Sequence, residues 1–155
     1  MRIRAENDCP AGAVLDTSAV YAVLEGEGNA GIFLGAFQDY PNLYISAGTL
    51  AELSIVLLAR RGAEAARELD EFLRAWAVET VAVGATAIDL VREGFLRFGK
   101  GRGSAAQLNF GDLFAYALAR ELDIPLFFTG NDFPETDVRN ALDRAPESGP
   151  ESRLR

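Results

Sequence analysis

Short apolar runs alternate along this chain with longer segments of helical periodicity, and this alternation most constrains its fold. The apolar runs lie at residues 13–15, 43–46, 78–83 and 124–129. Between them, apolar residues recur three and four positions apart, the spacing that gives a helix one apolar face. Strands that alternate with helices usually pair in parallel and are covered by helices on both faces. The pattern predicts a three-layer α/β fold with a mainly parallel central sheet of about four to five strands.

The chain length suits a single domain. A chain of 155 residues can bury roughly two-thirds of the surface that it exposes when unfolded. We expect residues 1–12 to be a lead-in, residues 13–142 to form the domain, and residues 143–155 to be disordered, since this tail is rich in Pro, Glu, Ser and Arg. No apolar run approaches the roughly 20 residues of a transmembrane helix, and Arg2 and Arg4 precede no signal-like apolar stretch. These features predict a cytoplasmic protein.

The absence of histidine narrows the possible chemistry. The chain has no histidine and a single cysteine, Cys9. It therefore cannot form an intrachain disulfide, a histidine or cysteine zinc site, a Ser-His-Asp triad or a histidine acid–base pair. Any reaction must use carboxylates, hydroxyls, Lys100, arginines or a bound ion. The net charge of −8 argues against broad electrostatic binding of nucleic acid and favours a basic protein partner or divalent cations.

Two aspartates follow predicted strands directly. Asp16 comes after the first apolar run and before a helix, and Asp132 comes after the last apolar run. Functional groups of parallel sheets gather at the carboxyl ends of the strands, so both side chains could reach one edge of the sheet. Each also has an ordinary structural role open to it: Asp16 could cap a helix, and Asp132 could be a turn residue.

Two further carboxylates lie near helix starts. Glu52 is in a helix whose residues 50–58 are nearly all apolar, so we expect this helix to be buried and the carboxylate to need a partner or a metal. Alternatively, Glu52 occupies the one exposed angle of the helix. Asp112, three residues after Asn109, could simply complete a capping box. Together, the four carboxylates form an oxygen-only set that suits Mg²⁺ or Mn²⁺.

Two other enzyme classes also place an aspartate after the first strand. A haloacid-dehalogenase-type phosphatase needs a second aspartate two positions after Asp16, where this chain has Ser18, and a lysine near the site. A response-regulator receiver domain needs a lysine after a late strand, where this chain has Thr129 and Gly130. The residues therefore disfavour both classes.

Four segments, taken in order, resemble the motifs of PIN-domain ribonucleases of the VapC toxin type. They are residues 14–19 (VLDTSA), Glu52 in the helix after the second strand, residues 109–119 (NFGDLFAYALA), and residues 128–133 (FTGNDF) followed by 136–138 (TDV). The third segment is the most specific of the four. The resemblance extends over about residues 13–142 and implies the three-layer PIN-like fold.

The resemblance implies a metal-dependent endoribonuclease. In such an enzyme, water activated by Mg²⁺ or Mn²⁺ attacks the phosphodiester in line and leaves a 5′-phosphate and a 3′-hydroxyl. Its ligands would be Asp16, Glu52, Asp112 and a fourth residue, for which Asp132 is favoured over Asn131 and Asp137. Thr17 or Ser18 would hydrogen-bond phosphate or metal-bound water.

The resemblance also implies partners. Such proteins are mostly toxins of type II toxin–antitoxin pairs that cleave tRNA or rRNA and are silenced by a cognate antitoxin. A homodimer is expected, with the apolar helices 30–37 and 50–58 as candidate surfaces, although these could simply be core. The loop residues Arg97, Lys100 and Arg102 could clamp an RNA phosphate beside the acidic site, or form a solvated connection. A catalytically inactive PIN fold that only binds a partner is the alternative function.

Overall fold

The computed structural model describes residues 11–143; Cys9, the rest of residues 1–10 and the tail 144–155 lie outside the described residues. The centre of the fold is a four-stranded sheet in the order β3-β2-β1-β4, and every pair of neighbours is parallel. Its strands are β1 (Ala13–Leu15), β2 (Leu43–Ser46), β3 (Glu79–Val81) and β4 (Leu126–Phe127). The predicted parallel α/β sheet is thus confirmed.

Six α-helices surround this sheet within residues 11–143. They are α1 (Thr17–Leu24), α2 (Ala30–Phe37), α3 (Ala47–Arg61), α4 (Ala63–Ala75), α5 (Ala85–Phe98) and α6 (Phe110–Leu122). Short 3₁₀ helices follow at Phe133–Glu135 and Ala141–Asp143, so Asp143, the expected first residue of the tail, ends a helical turn. None of the helices in this part of the chain is long and apolar enough to cross a bilayer.

Separate apolar clusters cover the two faces of the sheet. Successive residues of a strand point to opposite faces, and in β1 Leu15 joins one cluster while Val14 joins the other. The Leu15 cluster contains Phe33 and Phe37 of α2 together with residues of α1, α3 and α4. In the Val14 cluster, α6 contributes several buried residues, among them the fully buried Tyr116. Helices on both faces give the predicted three layers.

The last strand is shorter than its apolar run. Residues 124–129 were expected to form it, but only Leu126–Phe127 pair as a strand. Beyond it, the backbone N–H of Thr129 donates to the Ser18 hydroxyl at 3.0 Å instead of to a neighbouring strand. Gly130 then turns the chain with a φ of +93°, a conformation that glycine adopts readily. A hydrogen bond therefore links the segment after β4 to the start of α1.

The prediction that the helix carrying Glu52 is buried all round was wrong. α3 buries Leu53 and Leu57 against the core, but Ile55 on its other side is 68% exposed. α6 also leaves an apolar side chain uncovered, because Phe110 in its first turn is 75% exposed. In the described chain, no element packs over these side chains. The sequence pattern shows which sides of a helix are apolar. It does not show which of these sides other elements will cover.

Candidate active site

The carboxyl ends of β1 and β4 open onto a cavity of about 260 Å³ between α1, α3 and α6. Three of the carboxylates identified from the sequence line it, and they come from widely separated parts of the chain: Asp16, Glu52 and Asp112. Hydroxyl, charged and apolar side chains complete the lining: Thr17, Ser18, Tyr21, Glu27, Val56, Arg60 and Thr129. The structure therefore brings these three side chains to one cavity.

Asp16 lies directly after β1, is the N-cap of α1 and is only 3% exposed. Its Oδ2 accepts hydrogen bonds from the backbone N–H of Ser18 at 3.0 Å and from the Ser18 hydroxyl at 2.6 Å. Burial raises the pKa of Asp16 to about 6; the Ser18 hydrogen bonds lower it, and the charges of Asp112 and Glu52 raise it further. Asp16 therefore both caps a helix and carries a destabilised negative charge into the cavity.

Glu52 extends from α3 towards the first turn of α6. Its carboxylate lies against the backbone of Gly111, so closely that a Cβ atom at that position would overlap it. Burial raises the pKa of Glu52, and the neighbouring charge of Asp112 raises it further. Glu52 thus does not lie on a purely solvated face of its helix.

Asp112 completes a capping box with Asn109 at the start of α6. Its Oδ2 accepts the backbone N–H of Asn109, and its own N–H donates to Asn109 Oδ1, both at 2.9 Å. Burial raises the pKa of Asp112; the bond from Asn109 lowers it and the charge of Asp132 raises it. The sequence left open whether Asp112 caps the helix or belongs to an acidic site. In the structure it does both, since it completes the capping box and lines the cavity.

The cavity provides the donors that a hard divalent cation prefers. Every ionisable candidate ligand is a carboxylate, and the pKa values of all three are raised, first by burial and then by a neighbouring carboxylate charge. The buried Thr17 hydroxyl oxygen, also in the lining, has no hydrogen-bond partner within residues 11–143. As the side chains lie, no three carboxylates of this part of the chain converge closely enough to hold one ion together. The donor set fits Mg²⁺ or Mn²⁺, which bind few protein oxygens and retain waters.

The candidates for the fourth acidic position lie outside the cavity lining. Asp132 is near enough to Asp112 to raise its pKa, and Asn131 is its neighbour in the chain. Asp137, by contrast, accepts from Nη1 of Arg97 at 2.9 Å and from Nη1 of Arg120 at 2.7 Å. Two guanidinium groups therefore balance the charge of Asp137, which favours an ion-pair role for it.

The loop cations, expected either to clamp an RNA phosphate or to form a solvated connection, lie outside the cavity lining. Neither Lys100 nor Arg102 lines the cavity, and the Arg102 guanidinium lies 5.7 Å from the ring centroid of Phe95. Arg97 also lies outside the lining and is engaged by Glu93 and Asp137. Arg97 and Arg102 are therefore engaged by neighbours outside the cavity.

The sequence motifs missed three charged or aromatic residues of the lining: Tyr21, Glu27 and Arg60. A signal for Arg60 was present, because Glu52, Val56 and Arg60 are four positions apart and so lie along one side of α3. Tyr21 similarly lies four positions after Thr17 in α1. Nothing in the local sequence indicated Glu27, which follows the end of α1.

Comparisons with known proteins agree with this geometry. The family profile described as PIN domain matches residues 13–139. Ribonuclease VapC42 of Mycobacterium tuberculosis is 35% identical over 128 residues, covering 83% of this chain and 98% of that protein. A ribonuclease VapC of Mycolicibacterium smegmatis is 43% identical over 125 residues, covering 81% of this chain and 96% of that protein.

Solved structures share the fold. The crystal structure of M. tuberculosis VapC20, described as a sarcin–ricin loop cleaving toxin, superposes with a TM-score of 0.64 at 22% identity and covers 82% of this chain and 98% of its own. The VapBC2 complex of Rickettsia felis, bound to a DNA fragment of its promoter, gives a TM-score of 0.61 at 21% identity and covers 83% and 97%. At these identities the likeness concerns the fold.

Proposed function

The chain belongs to the PIN domain family, and from this premise we propose that it is an endoribonuclease toxin of the VapC type, neutralised by a cognate antitoxin. The observation that carries the proposal is that Asp16, Glu52 and Asp112 line one cavity although they come from three separate elements. A catalytically inactive PIN-fold binding module is disfavoured, because a protein that only binds has no need for three mutually repelling carboxylates in one cavity.

The cofactor that we propose is Mg²⁺ or Mn²⁺, held by Asp16, Glu52 and Asp112, with Asp132 as the fourth acidic residue. When bound, the ion would supply activated water and stabilise charge on the scissile phosphate. Ser18 holds the Asp16 carboxylate by its two hydrogen bonds and is itself held by the N–H of Thr129. The Thr17 hydroxyl, which has no hydrogen-bond partner within residues 11–143, would hydrogen-bond water or phosphate in the cavity.

The charge of the site also indicates the antitoxin's chemistry. A cavity lined by carboxylates, in a chain of net charge −8, would bind a segment that carries arginine. Such a segment would compete with the metal ion and the RNA for the same carboxylates. We place this competition, and the cleavage of tRNA or rRNA, in the cytoplasm, where RNA and antitoxin meet.

We further propose that a second copy of the chain covers the exposed apolar face of α3 and α6. This face surrounds a cavity of about 510 Å³ whose lining includes Ile55, Phe110 and Phe114. It is continuous with the acidic cavity, because Glu52 and Val56 line both. α2, the other candidate surface, contributes Phe33 and Phe37 to the core. Light scattering should report a dimer for the wild type and a monomer for Ile55→Glu, with Ile32→Glu on α2 as the control.

Cleavage assays test the proposed activity. The wild-type protein, incubated with total tRNA and ribosomal RNA in Mg²⁺ or Mn²⁺, should yield fragments with 5′-phosphate and 3′-hydroxyl ends. Asp16→Asn and Asp112→Asn should abolish the cleavage and leave the circular dichroism spectrum unchanged, since asparagine also caps helices. Wild-type activity in either variant would show that the site is assigned wrongly.

A further inference from the structure

A tyrosine and an arginine meet at the acidic cavity on the side of α1 and α3. Nη1 of Arg60 donates to the Tyr21 hydroxyl at 2.9 Å, and the Arg60 guanidinium carbon lies 5.4 Å from the Tyr21 ring centroid. Both residues line the cavity together with Asp16, Glu52 and Asp112. Tyr21 is half-buried and packs against the core, so its position is set by the fold. The guanidinium is therefore held beside the carboxylates by a neutral partner.

Within the described residues, Arg60 forms no ion pair, whereas the neighbouring Arg61 forms two. Arg61, the next residue of α3, forms ion pairs with Glu25 at 3.0 Å and Glu68 at 2.9 Å. Throughout residues 11–143, no carboxylate lies within 4.0 Å of the Arg60 guanidinium. Arg60 is also the one cationic side chain that the described residues contribute to the cavity lining. An exposed, preoriented guanidinium at an acidic cavity is available for an anion.

Arg60 does not serve as a counter-ion for the carboxylates. Its guanidinium forms no ion pair with Asp16, Glu52 or Asp112, and it donates instead to the neutral Tyr21 hydroxyl. A guanidinium has five N–H donors in a planar fork, and one of them is used by Tyr21. The remaining donors match the geometry of a phosphate, which the fork can bind through two hydrogen bonds.

We propose that Arg60 binds a backbone phosphate of the RNA substrate next to the scissile one, and that Tyr21 is the positioning residue that holds Arg60 for this contact. The proposal rests on the proposed ribonuclease function and adds to it a substrate contact. A polyanion that enters a cavity lined by carboxylates needs a local cation, and the basic loop containing Lys100 and Arg102 does not reach the cavity. Arg60 fills this need from α3.

The test is cleavage of a labelled oligoribonucleotide that spans the cleavage site found by sequencing the RNA ends. Arg60→Gln should raise KM about 5- to 10-fold, the usual effect of losing one charge-assisted hydrogen-bonded contact, with kcat changed less than about twofold. The dependence of log KM on log salt should become shallower by about one unit, because one phosphate contact is lost. Arg60→Lys should restore part of the affinity and the salt slope. Tyr21→Phe should raise KM by less than Arg60→Gln does.

The matched control is Arg61→Gln, which removes the same charge one residue further along α3, outside the cavity. It should leave KM and the salt slope unchanged. Unchanged KM and slope in Arg60→Gln, with normal cleavage by the wild type, would overturn this inference alone. The inference would also be overturned if Arg60→Gln lowered only kcat, or weakened only inhibition by the antitoxin. Absence of cleavage by the wild-type protein would instead reject the proposed function.

Discussion

The carboxylate of Glu52 occupies the space that a side chain at Gly111 would need. This contact joins α3 to the first turn of α6, immediately before Asp112. The residue directly before Asp112 must therefore be small enough for a second carboxylate to approach the helix start. The acidic cavity therefore depends on glycine at position 111 as well as on its carboxylates.

Gly111→Ala should displace Glu52 and lower the rate of cleavage by at least about tenfold, because a shift of roughly 1 Å in a catalytic group can cost more than that. The measurement is kcat/KM on the labelled RNA. Gly35→Ala is the matched control, since an added Cβ at this exposed position of α2 meets no atom within 4 Å. The control should keep its activity and gain up to about 1 kcal/mol in the free energy of unfolding. Wild-type kcat/KM in Gly111→Ala would contradict the role of the contact.

Asp16 should make the metal-free protein less stable as the pH rises from about 4 to above 6. Its folded-state pKa of about 6 lies above the usual 3.8, so the folded protein binds this proton more tightly than the unfolded chain does. The stability that the protonated Asp16 contributes is fully present below pH 3.8, the usual pKa. It is lost as the pH rises through the folded-state pKa of about 6, and the total loss is on the order of 3 kcal/mol.

Urea unfolding in EDTA at pH 4 to 8 measures this effect by comparing the wild type with Asp16→Asn. The two proteins should have similar stabilities near pH 4, and the variant should be the more stable near pH 8. A stability difference that stays constant over this range would show that the buried carboxyl group does not titrate as described.

Mn²⁺ should stabilise the wild-type protein, because a cation in the cavity would offset the negative charges of three carboxylates whose pKa values are raised by burial and by neighbouring carboxylates. At about 100 times the dissociation constant, the gain in unfolding free energy should be about 2.7 kcal/mol. Asp112→Asn should lose most of this gain, whereas Asp89→Asn, a change of an exposed aspartate on α5, should retain it. Calorimetric titration and thermal unfolding measure both quantities. Equal Mn²⁺ affinity in the wild type and Asp112→Asn would exclude this cavity as the metal site.

Asp137→Asn should keep RNA cleavage and lose about 1 kcal/mol of stability, since Arg97 and Arg120 would share a weaker acceptor. Asp132→Asn should lower cleavage instead, because its charge acts on Asp112. Parallel assays of cleavage rate and urea midpoint separate the two roles. If Asp137→Asn were inactive and Asp132→Asn active, Asp137 would be the fourth acidic residue.

Much of this site could be predicted because its signals are local. The order of strands and helices follows from apolar periodicity, and Asp16 and Asp112 occupy helix starts that their neighbours Ser18 and Asn109 define through bonds over two or three residues. The absence of histidine and the single cysteine likewise restricted the chemistry to oxygen ligands before any coordinate was known.

The tertiary structure decided what depends on residues far apart in the chain. It placed Glu52 against Gly111, joined Arg60 to Tyr21 across 39 positions, and balanced Asp137 with Arg97 across 40 positions. It also left Ile55 exposed, although its helix was expected to be buried, and Phe110 exposed at the start of α6. A periodic pattern reports which side chains share a face of their own helix. Which face is covered, and by which distant charge or ring, is decided only when the elements pack.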